Sequence, residues 1–166
     1  MTLLTDEIRA LVGRRKVYTA PEPFGRAAGR YYALAVGDLN PLYTDDEAAR
    51  AAGLPGVTLP PTLVTETNQY AGLPIDEEGY AGHTWDLDIP GTRQVRGGNK
   101  YTFHRRIRPD DVVTATWEIT GVEEKTTRSG ADMLIVSSRA TYTDADGGPL
   151  AENEETLVFV ALEGAK

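Results

Sequence analysis

The chain has 166 residues, enough for one domain with its own core and short for two. Its apolar fraction of 40% and charged fraction of 25% are those of a globular protein in water. A formal charge of −8 gives nucleic acid and anionic membranes no electrostatic reason to bind. The absence of cysteine excludes disulfides, a thiol nucleophile and a cysteine-based zinc site. No stretch approaches the roughly 18 apolar residues a bilayer span needs, and the opening MTLLTDEIRALVGRRK has no apolar secretion segment, so a cytoplasmic location is expected.

In chain order, Ile8, Leu11 and Val12 give an apolar face to a short helix running from Thr5 to Gly13. Residues 16–20, KVYTA, read as a strand stopped by Pro21 and Pro23. Apolar positions recur at helical spacing over residues 24–36, and Gly37 supplies the left-handed stop. Thr44 and Glu47 have capping-box spacing for a helix over residues 45–52, ended by Gly53 and Pro55. Pro60-Pro61-Thr62 opens a third helical run to about Tyr70, a poor intrinsic helix because of its Thr and Val content. Residues 73–98 lack a sustained period and read as a long loop or lid, with a short strand expected near residues 84–89. From Asn99 the period becomes two. Val113, Ala115, Trp117 and Ile119 line one face of a strand, residues 133–143 and 155–162 form two more, and turn chemistry falls at residues 128–130 and 144–149. Residues 157–162 are apolar on both faces, as a doubly covered strand would be. The expected fold is α+β, an antiparallel sheet curled around a central helix, in a single domain spanning residues 1–166 with its core at about 12–160.

Residues 35–43 read AVGDLNPLY, with Asp38, Asn40 and Pro41 in a Gly-Asp-x-Asn-Pro loop. Asn40-Pro41 is also ordinary turn chemistry, and Asp38 could cap a turn after Gly37. Together with the LPPTLV helix start and the strand opening GGNKYTFHRRIRPDD, this loop resembles the MaoC-like hydratase/dehydratase family, in particular its N-terminal, dehydratase-like branch. The resemblance implies a hot-dog fold, pairing of domains as a homodimer or with a related hot-dog subunit, and an acyl-CoA or acyl-carrier-protein thioester as ligand. It implies no cofactor and no metal. The reaction it implies is reversible addition of water to a 2-enoyl thioester, with an Asp and a His holding that water between them. Asp38 matches the Asp and Asn40 the Asn, but Tyr43 stands where the family has His. A phenol titrates near 10 rather than near 6.5, so Tyr43 is a weak base at neutral pH; a cap-staple residue explains it equally well. The family's oxyanion donors would here be the amides of Thr62 and Leu63, because Pro60 and Pro61 have none.

His83 and His104 are the only imidazoles. His83 lies in the long loop and is the candidate to replace the missing base; His104 reads as a solvated strand residue. His83 with Asp86 and Asp88 has metal-ligand chemistry but no diagnostic spacing. Residues 89–109 contain no acid yet carry Arg93, Arg96, Lys100, Arg105, Arg106 and Arg108. In a chain of charge −8 this is a candidate phosphate site for a coenzyme A or phosphopantetheine thioester, against the alternative of a solvated basic face. Three functions follow as expectations. One is a subunit for 3-hydroxyacyl-thioester dehydration or enoyl-thioester hydration that needs a partner with a complete Asp/His loop. Another is a self-sufficient homodimeric dehydratase, possibly polyketide-type, using Asp38 with Tyr43 or His83. The third is a non-catalytic acyl-thioester-binding module.

Overall fold

The computed structural model describes residues 2–65, 68–128 and 130–162. The second half of the chain builds one antiparallel sheet. Strands β1 (Arg15–Thr19), β2 (Thr92–Phe103), β3 (Thr114–Thr126), β4 (Asp132–Thr143) and β5 (Pro149–Ala161) lie in the order β1-β3-β4-β5-β2. Strands β3, β4 and β5 are a meander. Its second turn is closed by Asp144, whose side chain accepts from the amides of Asp146 and Gly148. The other expected turn is held by Thr127 and Ala131, and its Ser129 lies outside the described residues.

Period-two patterning fixes which side of each strand is covered. Val113, Ala115, Trp117 and Ile119 are buried together as expected, beside Leu134, Val136, Ala140 and Tyr142 of β4 and Leu157 and Phe159 of β5. The reading of residues 157–162 as buried on both faces is corrected. Leu157 and Phe159 face the core, whereas Val158 and Val160 point the other way and are only half covered, because helices pack on one face of the sheet alone.

That covering layer comes from the first half. Helix α1 (Asp6–Arg9) is shorter than expected, because the Gly13 amide already pairs with Ile119 of β3 and commits the chain to the sheet. Helix α2 (Gly25–Val36) ends at Gly37, which takes φ 72° and donates to the carbonyls of Ala33 and Leu34. Gly29 of α2 touches Leu59 so closely that a Cβ there would overlap the leucine side chain. Helix α3 (Asp46–Ala51) is capped by Asp45, whose Oδ1 accepts from Glu47 N at 2.8 Å and Ala48 N at 3.2 Å. The Thr44–Glu47 box is thus displaced by one residue, because Thr44 spends its amide on Pro41 O in the preceding turn. Asp45→Ala is expected to destabilise the protein by about 1 kcal/mol and Thr44→Ala by much less, read from denaturant midpoints.

The expected central helix is a 3₁₀ turn, Pro61–Thr65, followed by another, Asn68–Tyr70; residues 66–67 lie outside the described residues. Two prolines without amide hydrogens and three β-branched residues leave little to propagate an α-helix, so packing and side-chain hydrogen bonds such as Thr65 Oγ1 to Thr62 O hold the segment. Leu63 and Val64 of this segment are buried in the sheet's core face, with Leu59 just before them. Residues 73–91 are loop, and β2 starts at Thr92, so the long loop is shorter than expected and the strand near residues 84–89 does not form. Instead Trp85 is sunk in the core at 2% exposure, with Leu87 and Ile89 packed behind it.

Candidate functional site

The loop after α2 brings Asp38, Asn40 and Tyr43 together. Gly37 turns the chain, Asn40 Oδ1 accepts from Leu42 N at 3.1 Å, and Pro41–Tyr43 forms a 3₁₀ turn. Each oxygen of the Asp38 carboxylate has one partner within the loop. Oδ1 accepts from Asn40 N at 3.2 Å and Oδ2 accepts from the Tyr43 hydroxyl at 3.3 Å. Tyr43 is buried, and its phenol is pushed above its ordinary value by that burial, by the negative charge of Asp38 and by the hydrogen bond to it; Arg106 pulls weakly the other way. The phenol therefore keeps its proton at neutral pH and donates it to Asp38. Beside this pair lies a groove of about 270 Å³ lined by Asp38, Asn40, Thr44, Arg30 and Leu34.

Near the expected oxyanion element, Tyr32 of α2 shares a 2.9 Å hydrogen bond with the Thr62 hydroxyl. The Leu63 amide donates to Pro60 O at 3.1 Å, so of the two expected donors Leu63 already has an acceptor. The 3₁₀ turn also carries far less dipole than a full helix would.

The basic stretch is divided by the strand it sits on. Arg93 and Lys100 lie opposite Val160 and Glu154, on the outward side of β2, and Lys100 pairs with Glu154 at 2.9 Å. Arg96 lies opposite Leu157, on the core side. Arg93, Arg96 and Arg106 are exposed. Arg105 is withdrawn from the phosphate set. Its guanidinium holds Asp111 through two bonds of 2.7 and 2.8 Å and Asp144 through a third of 2.8 Å. Asp111, the last residue of the Arg-Pro-Asp-Asp element, also accepts from Arg108 N and is 4% exposed. That element is a fold clamp.

His83 is held apart from Asp38, and the residues lining its cavity and the Asp38 groove have no member in common. Its ring stacks on Trp117 at 4.1 Å, meets Trp85 edge-on at 4.6 Å, and its Nδ1 lies 3.2 Å from the Tyr18 hydroxyl. Burial, with Lys16 nearby, lowers its pKa to about 3. Asp86, which has metal-ligand chemistry beside His83 in the sequence, pairs with Lys16 Nζ at 2.6 Å. His104 sits 3.4 Å from Glu152 at the surface, as expected of a solvated residue.

A histidine at about 3 in the fold and about 6.5 when unfolded leaves the native state with fewer protons between those values. Stability is therefore full above about pH 6.5 and lost as pH falls toward 3, by at most about 1.4 kcal/mol per pH unit. Both tryptophans of the chain touch this ring, so their fluorescence reports the transition. His83→Phe, which keeps the stacking surface, is expected to flatten the acid limb of denaturant midpoints against pH.

Sequence reading missed the polar residues on the core face of the sheet, namely Ser138, Asn153 and Glu155, all buried. The signal was present in AENEETLVF, where Asn153 and Glu155 share the phase of Leu157 and Phe159.

The sheet, its single covering layer and the short turns against it define a hot-dog fold, and solved structures agree. One chain of the ChsH1–ChsH2 complex from Mycobacterium tuberculosis superposes with a TM-score of 0.74 at 24% identity, covering 96% of this chain and 90% of that one. The HadBC (3R-hydroxyacyl-ACP dehydratase) complex from Mycobacterium tuberculosis gives 0.61 at 26% identity, covering 89% and 96%. Residues 10–153 match the family described as "FAS1-like, dehydratase domain region". The chain belongs to this dehydratase-region family. A relative 39% identical over 95% of this chain and 97% of its own length is the UPF0336 protein SCO4636 of Streptomyces coelicolor. Another, 30% identical over 78% of this chain and 42% of its own length, is the probable enoyl-CoA hydratase alpha subunit of Thermomonospora curvata. Among the described residues no helix is long and apolar enough to cross a membrane.

Proposed function

We propose that this chain is one subunit of an enzyme that hydrates 2-enoyl thioesters or dehydrates 3-hydroxyacyl thioesters, and that a related hot-dog subunit supplies the complete Asp/His loop. The observation that carries this is the closed Asp38–Tyr43 pair. The chemistry needs, beside the carboxylate, a second group that exchanges a proton near neutrality, and here that position holds a buried phenol that keeps its proton and donates to Asp38. The second imidazole that could have stepped in, His83, is stacked under the loop. In this reading proton transfer belongs to the partner's loop, and this chain contributes walls and substrate contacts. Thr62, beside the Tyr32 hydroxyl, is kept as the oxyanion amide. Arg93, Lys100 and Arg106 are kept as contacts for the thioester's phosphates, on their charge and exposure. The ChsH1–ChsH2 complex and the HadBC dehydratase complex among the similar folds support a partner of the same kind.

The experiment is hydration of crotonyl-CoA and a longer 2-enoyl-CoA by the purified chain alone and mixed with a hot-dog subunit carrying the full Gly-Asp-x-Asn-Pro-x-His loop. The expected result is turnover only in the mixture. Robust turnover by the chain alone, abolished by Asp38→Asn, would establish the self-sufficient homodimer instead. Thioester binding with no turnover in any mixture would leave the binding module.

A further inference from the structure

Helix α2 is apolar on both of its sides. Gly29 and Ala33 are buried against the rest of the fold. Half a turn round, Ala27, Ala28, Tyr31, Leu34 and Ala35 share one face at helical spacing, and all five are exposed. Tyr31 is 66% and Leu34 56% exposed, and Leu39, on the loop just past the Gly37 stop, is 75% exposed. A helix that faces water normally turns polar residues outward, whereas one that is apolar all round is normally covered on every side. Three large apolar side chains and three alanines make a patch of roughly 400 Å², a size that on a monomer commonly marks an interaction site. The patch also carries its own complement. Beside Leu34 runs the groove of about 270 Å³ whose walls include Arg30, Asp38 and Leu39. Tyr31 stands next to it as an exposed ring, with the Arg30 guanidinium 5.7 Å from its centre. Arg30 is exposed and makes no ion pair among the described residues. Asp38 is exposed as well, and with one partner on each oxygen its carboxylate still has accepting capacity.

We propose that this face of α2 is a self-association surface, on which a second copy of the chain packs its own α2 antiparallel about a twofold axis near Leu34 and Ala35. Antiparallel pairing about that point sets residue 30 against residue 39 and residue 31 against residue 38. Each Tyr31 then reaches the mouth of the other copy's groove and covers Leu34 and Leu39, and each Arg30 meets the other copy's Asp38. Twofold symmetry makes every contact twice, so one knob, one hole and one pair of opposite charges complete the interface. That all four lie on a single face is what favours a second copy over an unlike partner. The three alanines let the helix axes approach to about 8 Å. A buried area of about 800 Å² in all is small for a permanent complex and fits a reversible dimer with a Kd on the order of 10 µM. The contact uses the helical layer and leaves β2, which pairs only with β5, as a free sheet edge. It therefore does not rest on the thioester reading above, and it is compatible with a related subunit joined at that edge.

The test uses the full chain. Sedimentation equilibrium from about 1 to 200 µM is expected to show a reversible monomer–dimer equilibrium. Leu34→Glu, at an exposed position that the fold does not use, should raise Kd at least about thirtyfold and leave the circular dichroism and Tm unchanged. Arg30→Glu, which sets like charges together twice, should raise it about tenfold. Ile75→Glu, at an apolar residue 70% exposed in the loop before β2, should leave it as it is. The chain has no cysteine, so a single introduced thiol reports on one place. Ala35→Cys, beside the axis, should be joined into a covalent dimer by a short bis-maleimide, and Val17→Cys, 60% exposed on β1, should not. A chain that stays monomeric across the range overturns the proposal. A dimer that survives Leu34→Glu, or that cross-links as well through Val17→Cys as through Ala35→Cys, assigns the contact to another surface and overturns it too. Cross-linking of Ala35→Cys only after a related hot-dog subunit is added gives the face to that subunit, with the same consequence. None of these readouts uses turnover, so failure of this proposal and failure of the hydration assay are told apart.

Discussion

Arg105→Met is expected to cost about 3 kcal/mol of stability and to lower Tm by roughly 6–12 °C. Asp111 is the reason. Its carboxylate is 4% exposed and is satisfied by two bonds from Arg105 and one from Arg108 N. Methionine preserves most of the arginine's apolar stem but strands a buried anion with one backbone partner. Losing one member of a buried pair typically costs 3–5 kcal/mol. The lower end applies because the Arg105 side chain is 32% exposed, so solvent already screens part of the attraction. The double variant Arg105→Met/Asp111→Leu should recover much of the loss, since it removes the stranded charge as well. Lys100→Met, which removes an ion pair between two exposed side chains, should leave Tm unchanged. Equal Tm losses for Arg105→Met and Lys100→Met would mean that burial of Asp111 does not decide the cost.

The second large effect is expected in the two-subunit assay. Asp38→Asn in this chain should change turnover of the mixture by less than about threefold, whereas Asp→Asn in the partner's complete loop should reduce it by at least about a hundredfold, the usual scale for a general acid or base. The asymmetry follows from the hydrogen bonds on Asp38. Asn at position 38 can still accept from Asn40 N on Oδ1, and its Nδ2 can donate to the Tyr43 oxygen, so the loop keeps its shape while any base function is lost. Tyr43→His is the converse variant. It places an imidazole beside Asp38 and the groove that runs along it. Activity gained by the chain alone would mean that the oxyanion and tunnel elements are complete and that one side chain separates this loop from a catalyst.

The class of the protein was written into local sequence. The Asp38–Tyr43 loop, the period-two strands and the turn residues at 144–149 each specify their own geometry within a few residues, and they came out in place. Helix boundaries were less legible where neighbouring turns competed for the same amide, as at Thr44, whose amide went to Pro41 and moved the cap to Asp45. The basic stretch misled in a different way. Six cations close in sequence suggested one surface, but a strand sends alternate residues to opposite sides, and a bulge between Arg96 and Gly98 resets the phase.

By itself, then, the sequence determined what short-range chemistry can determine: strand phase, the α2 stop at Gly37, the turn around Asn40-Pro41 and the loop that marks a dehydratase lineage. Tertiary structure decided everything that depends on partners distant along the chain. It closed Tyr43 onto Asp38, drew Arg105 to Asp111 and Asp144, and replaced an expected strand with Trp85 buried in the core. It also slid His83 between Trp85 and Trp117, where burial holds it neutral and away from the Asp38 groove. The physical reason is the same in each case. A side chain's protonation state and hydrogen-bonding capacity are set by what burial brings against it, and burial is a property of the packed whole.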